Sequence, residues 1–243
     1  MQKTTLVLQE QTRLTADVLQ MRLTAEDSPE MLPGQFVNLS VPGLFLRRPI
    51  SVCNWENGVL TLVYRVVGAG TRCMSEMHPG DRISALTGLG HGYHTGCSGA
   101  QPVLIGGGVG IPPLYYLART LLAEGKQPQV VLGFRNRSDM FLTEAFERLG
   151  CSVTVTTEDG SAGIHGRVTD ALPAQATYLY ACGPEPMLKA LYHACTLPGE
   201  FSLEERMGCG FGACMGCSIQ TAIGPQRVCR EGPVFSREVL LWD

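Results

Sequence analysis

Four cysteines near the C-terminus carry the most specific chemistry in this sequence. Cys209 and Cys214 have four residues between them, Cys214 and Cys217 have two, and eleven precede Cys229. That is the spacing of a [2Fe–2S] site, in which a tight loop wraps three thiolates around the cluster and a later cysteine supplies the fourth. Gly208, Gly210, Gly212 and Gly216 are interleaved with them. Such a loop brings backbone N–H groups close to the sulfides, often at positive φ, which glycine adopts without a Cβ clash. A four-cysteine zinc site is the alternative chemistry. It normally uses two short knuckles, and no second knuckle surrounds Cys229. The interval before Cys229 is short for the cluster pattern, so a fourth ligand from elsewhere in the fold is an alternative to it.

A second motif, Gly106-Gly107-Gly108-Val109-Gly110 followed by Ile111, sits where a strand gives way to a helix. There, free N–H groups and the helix dipole favour a dinucleotide phosphate. The run Thr157-Glu158-Asp159 follows a third strand of this region and Cys182-Gly183-Pro184 follows its last. Three loops therefore lie beyond strand C-termini, where open α/β sheets bind ligands. Candidate NAD contacts are Gly106, Gly107, Gly108, Gly110, Asp159, Cys182, Gly183 and Pro184. The usual fingerprint places an acidic residue after the second strand, whereas Arg135-Asn136-Arg137 stands here, leaving NAD against NADP open with a lean to NAD.

The elements that must position these loops follow from periodicity. Up to about residue 90 the pattern is short alternating strands, with Leu60, Leu62 and Tyr64 on one face and Val59, Thr61, Val63 and Arg65 on the other. This predicts a small antiparallel barrel. Beyond residue 100, strands at 102–105, 129–134, 152–156 and 178–182 alternate with helices at 111–125, 139–149, 167–172 and 184–193, the pattern of a parallel sheet. The predicted fold is multidomain α+β: a β-barrel over 1–99, an α/β nucleotide domain over 100–200 and a small Cys-rich domain over 201–243. The last is too short for a core of its own, and a metal cluster would organise it.

Composition narrows the function classes. The 243 residues carry a net charge of −3 with 44% hydrophobic residues. This is globular composition without the basic excess of a nucleic-acid binder. The apolar stretch 103–123 is broken by glycines and prolines and predicts no membrane span. The N-terminus has no secretory pattern. Ten cysteines in a chain expected in the cytoplasm read as reduced thiols, and most of the scattered set Cys53, Cys73, Cys97, Cys151, Cys182 and Cys195 as small buried hydrophobes. The five histidines, His78, His91, His94, His165 and His193, have no metal-ligand spacing.

Arg47-Arg48-Pro49-Ile50-Ser51 at the end of one barrel strand, and Val63-Tyr64-Arg65 running into Gly68-Ala69-Gly70-Thr71, precede the nucleotide turn. In this order they resemble the ferredoxin-NADP reductase superfamily. With Cys182-Gly183-Pro184 and the C-terminal cysteines, the layout over nearly the whole chain looks like the electron-transfer subunits of type B dihydroorotate dehydrogenase. The resemblance implies that Arg48, Pro49, Ile50, Ser51, Val63, Tyr64, Arg65, Gly70 and Thr71 bind FAD. Arg48 would pair with the diphosphate, Ser51 would reach the flavin ring, and Tyr64 would touch the ribityl chain or the ring. Ile50 replaces the superfamily's usual Tyr, which removes an aromatic stacking contact. The loop Gly88-Leu89-Gly90-His91-Gly92 departs from the family pattern at His91. Glu185 would lie near the nicotinamide.

The resemblance also implies an FMN-containing catalytic partner in a heterotetramer with two copies of each chain. Electrons from dihydroorotate would cross the cluster singly, collect on FAD and leave as hydride to NAD⁺, in pyrimidine biosynthesis. A flavin must stand between a hydride carrier and a one-electron cluster. The flavin and cluster subunits of a sulfhydrogenase or of a ferredoxin:NADP oxidoreductase share this layout and are the rival readings. A non-enzymatic zinc module is the rival of a different class. The expected docking face is the apolar surface of Phe211, Ala213 and Met215 around the cluster.

Overall fold

The computed structural model describes residues 1–25 and 30–242. Period-two alternation builds its first unit. β1 (Gln2–Arg13), β2 (Val18–Ala25), β3 (Phe36–Ser40), β4 (Arg48–Glu56), β5 (Val59–Arg65) and β6 (Arg82–Leu89) close into a barrel of order β1-β2-β5-β4-β3-β6. Closure leaves no free strand edge. Leu6, Leu8, Met21, Leu23, Leu60 and Leu62 fill its interior at 0% exposure, each contributing about 1.5–3 kcal/mol by burial. The short helix α1 (Ala69–Ser75) adds Met74 to the same core.

The second unit is a seven-stranded sheet. It contains β7 (Val103–Gly107), β8 (Gln129–Phe134), β9 (Ser152–Thr157), β10 (Ile164–His165), β11 (Leu179–Cys182), β12 (Gly199–Ser202) and, from the C-terminal segment, β15 (Val234–Ser236). Their order is β10-β9-β8-β7-β11-β12-β15, parallel up to β12, with β15 antiparallel to it. Val103-Leu104-Ile105 and Leu179-Tyr180-Ala181 are buried runs, as strands covered on both faces require. Helices α2 (Ile111–Ala123), α3 (Thr143–Arg148) and α4 (Glu185–Ala194) connect them. The hairpin β13 (Ser218–Thr221) and β14 (Gly224–Arg227) stands apart from the sheet.

Two predicted helices are shorter than their patterns. The segment 139–149 begins where a 3₁₀ turn, Arg137–Asp139, ends, and α3 begins only after Leu142, whose φ of 62° interrupts any continuous helix. The segment 167–172 holds one 3₁₀ turn, Val168–Ala171. β10, β12 and β15 were not anticipated, because strands of two to four residues are too short to show a period. β12 runs through the expected boundary at 200/201, so the Cys-rich segment shares the sheet and its apolar core. Phe201, Cys217, Val228, Cys229 and Phe235 pack there with Val103 and Leu179. The barrel is joined as closely: Val18, Cys53 and Val63 on its outer face pack with Ile111, Leu114 and Leu117 of α2.

The connection after β6 is clamped as well. Glu200 of β12, at 3% exposure, accepts the His94 backbone N–H at 2.9 Å, and Tyr180 Oη donates to the His94 carbonyl at 2.9 Å. Among the scattered cysteines, Cys53, Cys151, Cys182 and Cys195 are buried as expected, whereas Cys73 and Cys97 are exposed. Among the described residues no helix is long and apolar enough to cross a membrane.

Candidate cofactor sites

The cysteine loop is shaped by backbone. Gly210 and Gly212 have φ of 77° and 90°, and an added Cβ at Gly210 would lie 2.3 Å from Asn38 Nδ2. This geometry turns a row of amides toward sulfur. Phe211, Ala213 and Cys214 donate N–H bonds to Cys209 Sγ at 3.5, 3.2 and 3.4 Å. Gly212 donates to Cys229 Sγ at 3.1 Å. Burial pushes the Cys209 thiol up, but the N–H groups of Phe211, Cys214 and Ala213 outweigh it and its pKa falls to about 6. Cys229, buried and beside Cys217, rises to about 12.

The short interval before Cys229 is a hairpin. β13 and β14 pair Ser218 with Arg227, which returns the chain so that Cys229 N–H meets Cys217 Sγ at 3.4 Å. Arg227 ties the hairpin to the loop by donating to the Gly212 carbonyl at 2.7 Å and to Glu231 at 2.9 Å. The Arg227 hydrogen bond draws the Glu231 carboxyl down to about 2. The thiols thus lie as two pairs, Cys209 with Cys214 and Cys217 with Cys229. Two pairs suit a cluster of two irons with two thiolates each.

Asn38 links this loop to the barrel and was missed from sequence. It is 1% exposed, and its Nδ2 donates to the Cys209 carbonyl at 3.0 Å while Oδ1 has no partner. Its signal was a lone amide inside the apolar strand Phe36-Val37-Asn38-Leu39. Asn38→Ala is expected to keep the barrel folded but speed iron loss to a chelator about fivefold or more, the size of one lost hydrogen bond. Timed chelation of the reduced and oxidised protein checks it.

β3 also sets the register of the Arg-Pro-Ile-Ser motif, with Leu39 opposite Arg48, Asn38 opposite Pro49, Val37 opposite Ile50 and Phe36 opposite Ser51. Arg48 lies across the start of α1. A Cβ on Gly70 would fall 2.0 Å from Arg48 Nε, so only glycine lets the guanidinium rest there. That cradle fits a diphosphate, which a helix N-terminus and a guanidinium both attract. Gly70→Ala should leave the fold intact, because the flexible Arg48 can move, yet weaken flavin binding about tenfold or more. Flavin fluorescence titration of the apoprotein reads this.

Several expected contacts are positioned otherwise. Tyr64 is 2% exposed in the barrel core and hydrogen-bonds Gln11 at 3.3 Å, so its side chain does not reach a surface ligand. Its place in the alternation with Leu60 and Leu62 already implied as much. Val63 points into the core shared with α2. Thr71 Oγ1 accepts the Val67 and Gly68 N–H groups at 2.9 and 3.2 Å, capping its own helix rather than facing outward. Arg65 pairs with Asp17 at 3.2 Å and lines the nucleotide cavity. His91, at the departure from the family pattern, bonds the Glu231 carbonyl through Nδ1 at 3.1 Å and so ties β6 to the C-terminal segment.

A cavity of about 330 Å³ opens at the carboxyl ends of β7, β8 and β9. Its lining includes Gly107, Gly108, Phe134, Glu158, Arg167 and Pro184. Gly106 and Gly110 are packing positions instead. A Cβ on Gly106 would meet Ile111 and Leu114, and one on Gly110 would lie 2.4 Å from the Cys182 carbonyl oxygen and 2.5 Å from Gly183 Cα. The glycine turn therefore locks directly onto the Cys182-Gly183-Pro184 loop. Cys182 is buried and its thiol is pushed up to about 12 by burial. Asp159 does not line the cavity. Its carboxylate accepts the Ser161 N–H and Oγ at 2.9 and 2.6 Å, closing a surface turn, and these bonds lower its pKa. Glu158, one residue earlier, lines the cavity in its place. Glu185 pairs with Lys189 at 2.9 Å and lines a second cavity with Glu204, Glu205 and Trp242.

Comparison with known proteins agrees with this layout. The family described as the iron-sulfur cluster binding domain of dihydroorotate dehydrogenase B matches residues 204–241, and the oxidoreductase NAD-binding domain matches 104–193. The dihydroorotate dehydrogenase B (NAD(+)) electron transfer subunit of Bacillus caldolyticus is 42% identical over 86% of this chain and 87% of its own. That of Listeria monocytogenes serotype 4a is 39% identical over 93% and 94%. Among solved structures, a chain of an NADH-dependent reduced ferredoxin-NADP oxidoreductase, studied for flavin-based electron bifurcation, is similar at TM-score 0.89 and 30% identity. The match covers 98% of this chain and 90% of that one. On these relationships and on the paired thiols, glycine turn and barrel motif, the chain belongs to the family of electron transfer subunits of dihydroorotate dehydrogenase B.

Proposed function

We propose that this chain holds FAD on the barrel, a [2Fe–2S] cluster on the cysteine loop and NAD in the cavity. In this reading it conducts electrons between an FMN-bearing dihydroorotate dehydrogenase subunit and NAD⁺ in the cytoplasm, in a complex with two copies of each chain. The observation that carries the reading is Asn38. One side chain on the strand paired with the Arg48–Ser51 motif also holds the Cys209 carbonyl, so the flavin motif and the cysteine loop are parts of one assembly.

Bound there, the flavin supplies the exchange of one hydride for two single electrons, which a nicotinamide and an iron–sulfur cluster do not make directly. The chain's own residues hold and orient. Arg48, seated on Gly70, neutralises a diphosphate, and Pro49, Ile50 and Ser51 present the strand on which the ring lies. The backbones of Val63, Tyr64 and Thr71 complete that surface, their side chains being committed to packing and capping. Gly107, Gly108 and Pro184 let a dinucleotide approach the main chain, while Gly106, Gly110, Cys182 and Gly183 fix the two loops against each other. Cys209, Cys214, Cys217 and Cys229 hold the two irons, and the amide row aimed at Cys209 stabilises its thiolate. No side chain is required as a general base, so Glu185 is left to its pair with Lys189.

Partner contact belongs near the cluster. Phe211 and Met215 are 42% and 52% exposed beside exposed Cys214, and apolar side chains in such a position suit a protein interface. The likeness to the ferredoxin-NADP oxidoreductase chain supports a second reading, in which the acceptor is a ferredoxin. Anaerobic purification of the chain with its native partner, assayed for dihydroorotate-dependent NADH formation, separates the two. Activity with an FMN-bearing partner is the expected result. A complex that carries flavin, iron and sulfide but ignores dihydroorotate overturns the pathway.

A further inference from the structure

The two thiol pairs are served differently by their surroundings. Cys209 Sγ accepts the N–H groups of Phe211, Ala213 and Cys214, and Cys214 Sγ accepts the Cys209 N–H at 3.4 Å, on a loop in contact with water. Cys217 and Cys229 are instead 1% and 2% exposed, among Val228, Phe235 and Leu240. Among the described residues each accepts one main-chain N–H, Cys217 from Cys229 at 3.4 Å and Cys229 from Gly212 at 3.1 Å. A cysteine that ligates a metal is a thiolate, and a buried negative charge needs compensation. The buried pair has less of it than the exposed pair.

Arg227 supplies a positive charge there. It ends β14, and the hairpin register that sets it against Ser218 brings its side chain back to the cysteine loop. Its Nη1 donates at 2.7 Å to the carbonyl of Gly212, the residue whose N–H meets Cys229 Sγ. The Cys229 and Cys217 sulfurs both lie within electrostatic reach of the guanidinium. Glu231 holds the same guanidinium, accepting from Nε at 2.9 Å, and accepts the Arg227 N–H at 2.8 Å. The two side chains are 20% and 29% exposed, so Glu231 tempers the field of Arg227 without cancelling it. Arg230, whose Nε is 3.9 Å from Glu231 Oε1, is 62% exposed, and water and salt screen its charge.

We propose that Arg227 sets the reduction potential of the cluster, with Glu231 as its counter-charge. It is a positioning residue, acting on the buried thiolate pair through the Gly212 peptide and through its own field. When one electron enters, the cluster gains one negative charge, and no bond to a side chain forms or breaks. The potential of such a cluster follows the net charge and the hydrogen bonds around its sulfurs. Arg227 therefore favours uptake of the electron from the partner, and Glu231 limits that pull so that the electron passes on to the flavin. This rests on the reading of the four cysteines as a [2Fe–2S] site.

Anaerobic redox titration of the flavin- and cluster-loaded chain, followed by the electron paramagnetic resonance of the reduced cluster, tests it without turnover. Arg227→Gln should make the cluster about tenfold harder to reduce, a midpoint lower by about 59 mV. Glu231→Gln keeps an acceptor for the Arg227 N–H but removes the counter-charge, so its midpoint should move the opposite way. Arg227→Lys keeps the charge and should stay near the parent, and Arg230→Gln should move far less than Arg227→Gln. A role confined to holding the hairpin would shift Arg227→Gln and Glu231→Gln in the same direction. That result, or an unchanged midpoint in Glu231→Gln, would overturn the assignment while leaving the cluster reading in place. Should Arg227→Gln fail to assemble a cluster, the direction of the shift in Glu231→Gln decides alone. A parent chain without iron, sulfide or the resonance would overturn the cluster reading and the assignment with it.

Discussion

Cys214→Ser is expected to yield a folded flavoprotein without iron or acid-labile sulfide, whereas Cys229→Ser is expected to lose the cluster and stability together. The difference comes from surroundings rather than from ligand type. Cys214 is exposed on the loop, and a hydroxyl there stays in water. Cys229 is 2% exposed and packs with Cys217, Val228, Phe235 and Leu240 in the core shared with the sheet. A serine oxygen there can still accept the Gly212 N–H, but its own O–H is buried beside the Cys217 sulfur, a weak acceptor, and the poorly satisfied donor costs about 1–3 kcal/mol. Both variants give up whatever stability the cluster adds, so the difference between their melting temperatures isolates the burial cost. Iron and sulfide analysis with parallel thermal melts decides the matter. Stoichiometric zinc in the parent protein would sink the cluster assignment. Loss of flavin from Cys214→Ser would mean that Asn38 couples the two sites more tightly than one hydrogen bond requires.

The second large effect is expected at Gly110. Its added Cβ would strike the Cys182 carbonyl and Gly183 Cα, both main-chain atoms that no rotamer change can move aside. Gly110→Ala should therefore destabilise the protein by about 3 kcal/mol, the upper range for overpacking, which lowers Tm by about 6–12 °C in a chain of this size. It should also separate the glycine turn from the Cys182-Gly183-Pro184 loop and reduce NADH affinity. Gly108 is the control. Its φ is 50° but no atom lies within 4 Å of an added Cβ, so Gly108→Asn should fold with far less penalty. Calorimetric melts of the two variants compare backbone clash with backbone conformation directly. Equal melting temperatures would show that the two loops are not locked by Gly110.

Spacing and alternation made the chemistry legible. The cysteine intervals, the glycine run between strand and helix, and the period-two pattern of the first 90 residues are local, and local geometry follows from neighbouring residues. That was enough for the barrel and for most of the sheet, and it singled out the four cysteines that the fold then brings into two pairs. Whether a side chain meets a ligand is a different kind of fact. Tyr64 and Val63 stand in the right motif, but the pleat turns one into the barrel and the other onto α2. Asp159 and Glu158 are adjacent, but a turn closed by Ser161 takes the first and leaves the second to the cavity.

The sequence by itself determined the cysteine spacing and the order of barrel and parallel sheet. Only the tertiary structure decided that Asn38 bridges the barrel and the cysteine loop across 171 positions, and that the C-terminal segment completes the sheet through β15. The reason is physical. Such contacts depend on sheet register, closure and shared burial, which join residues far apart in the chain and leave no period in either stretch alone.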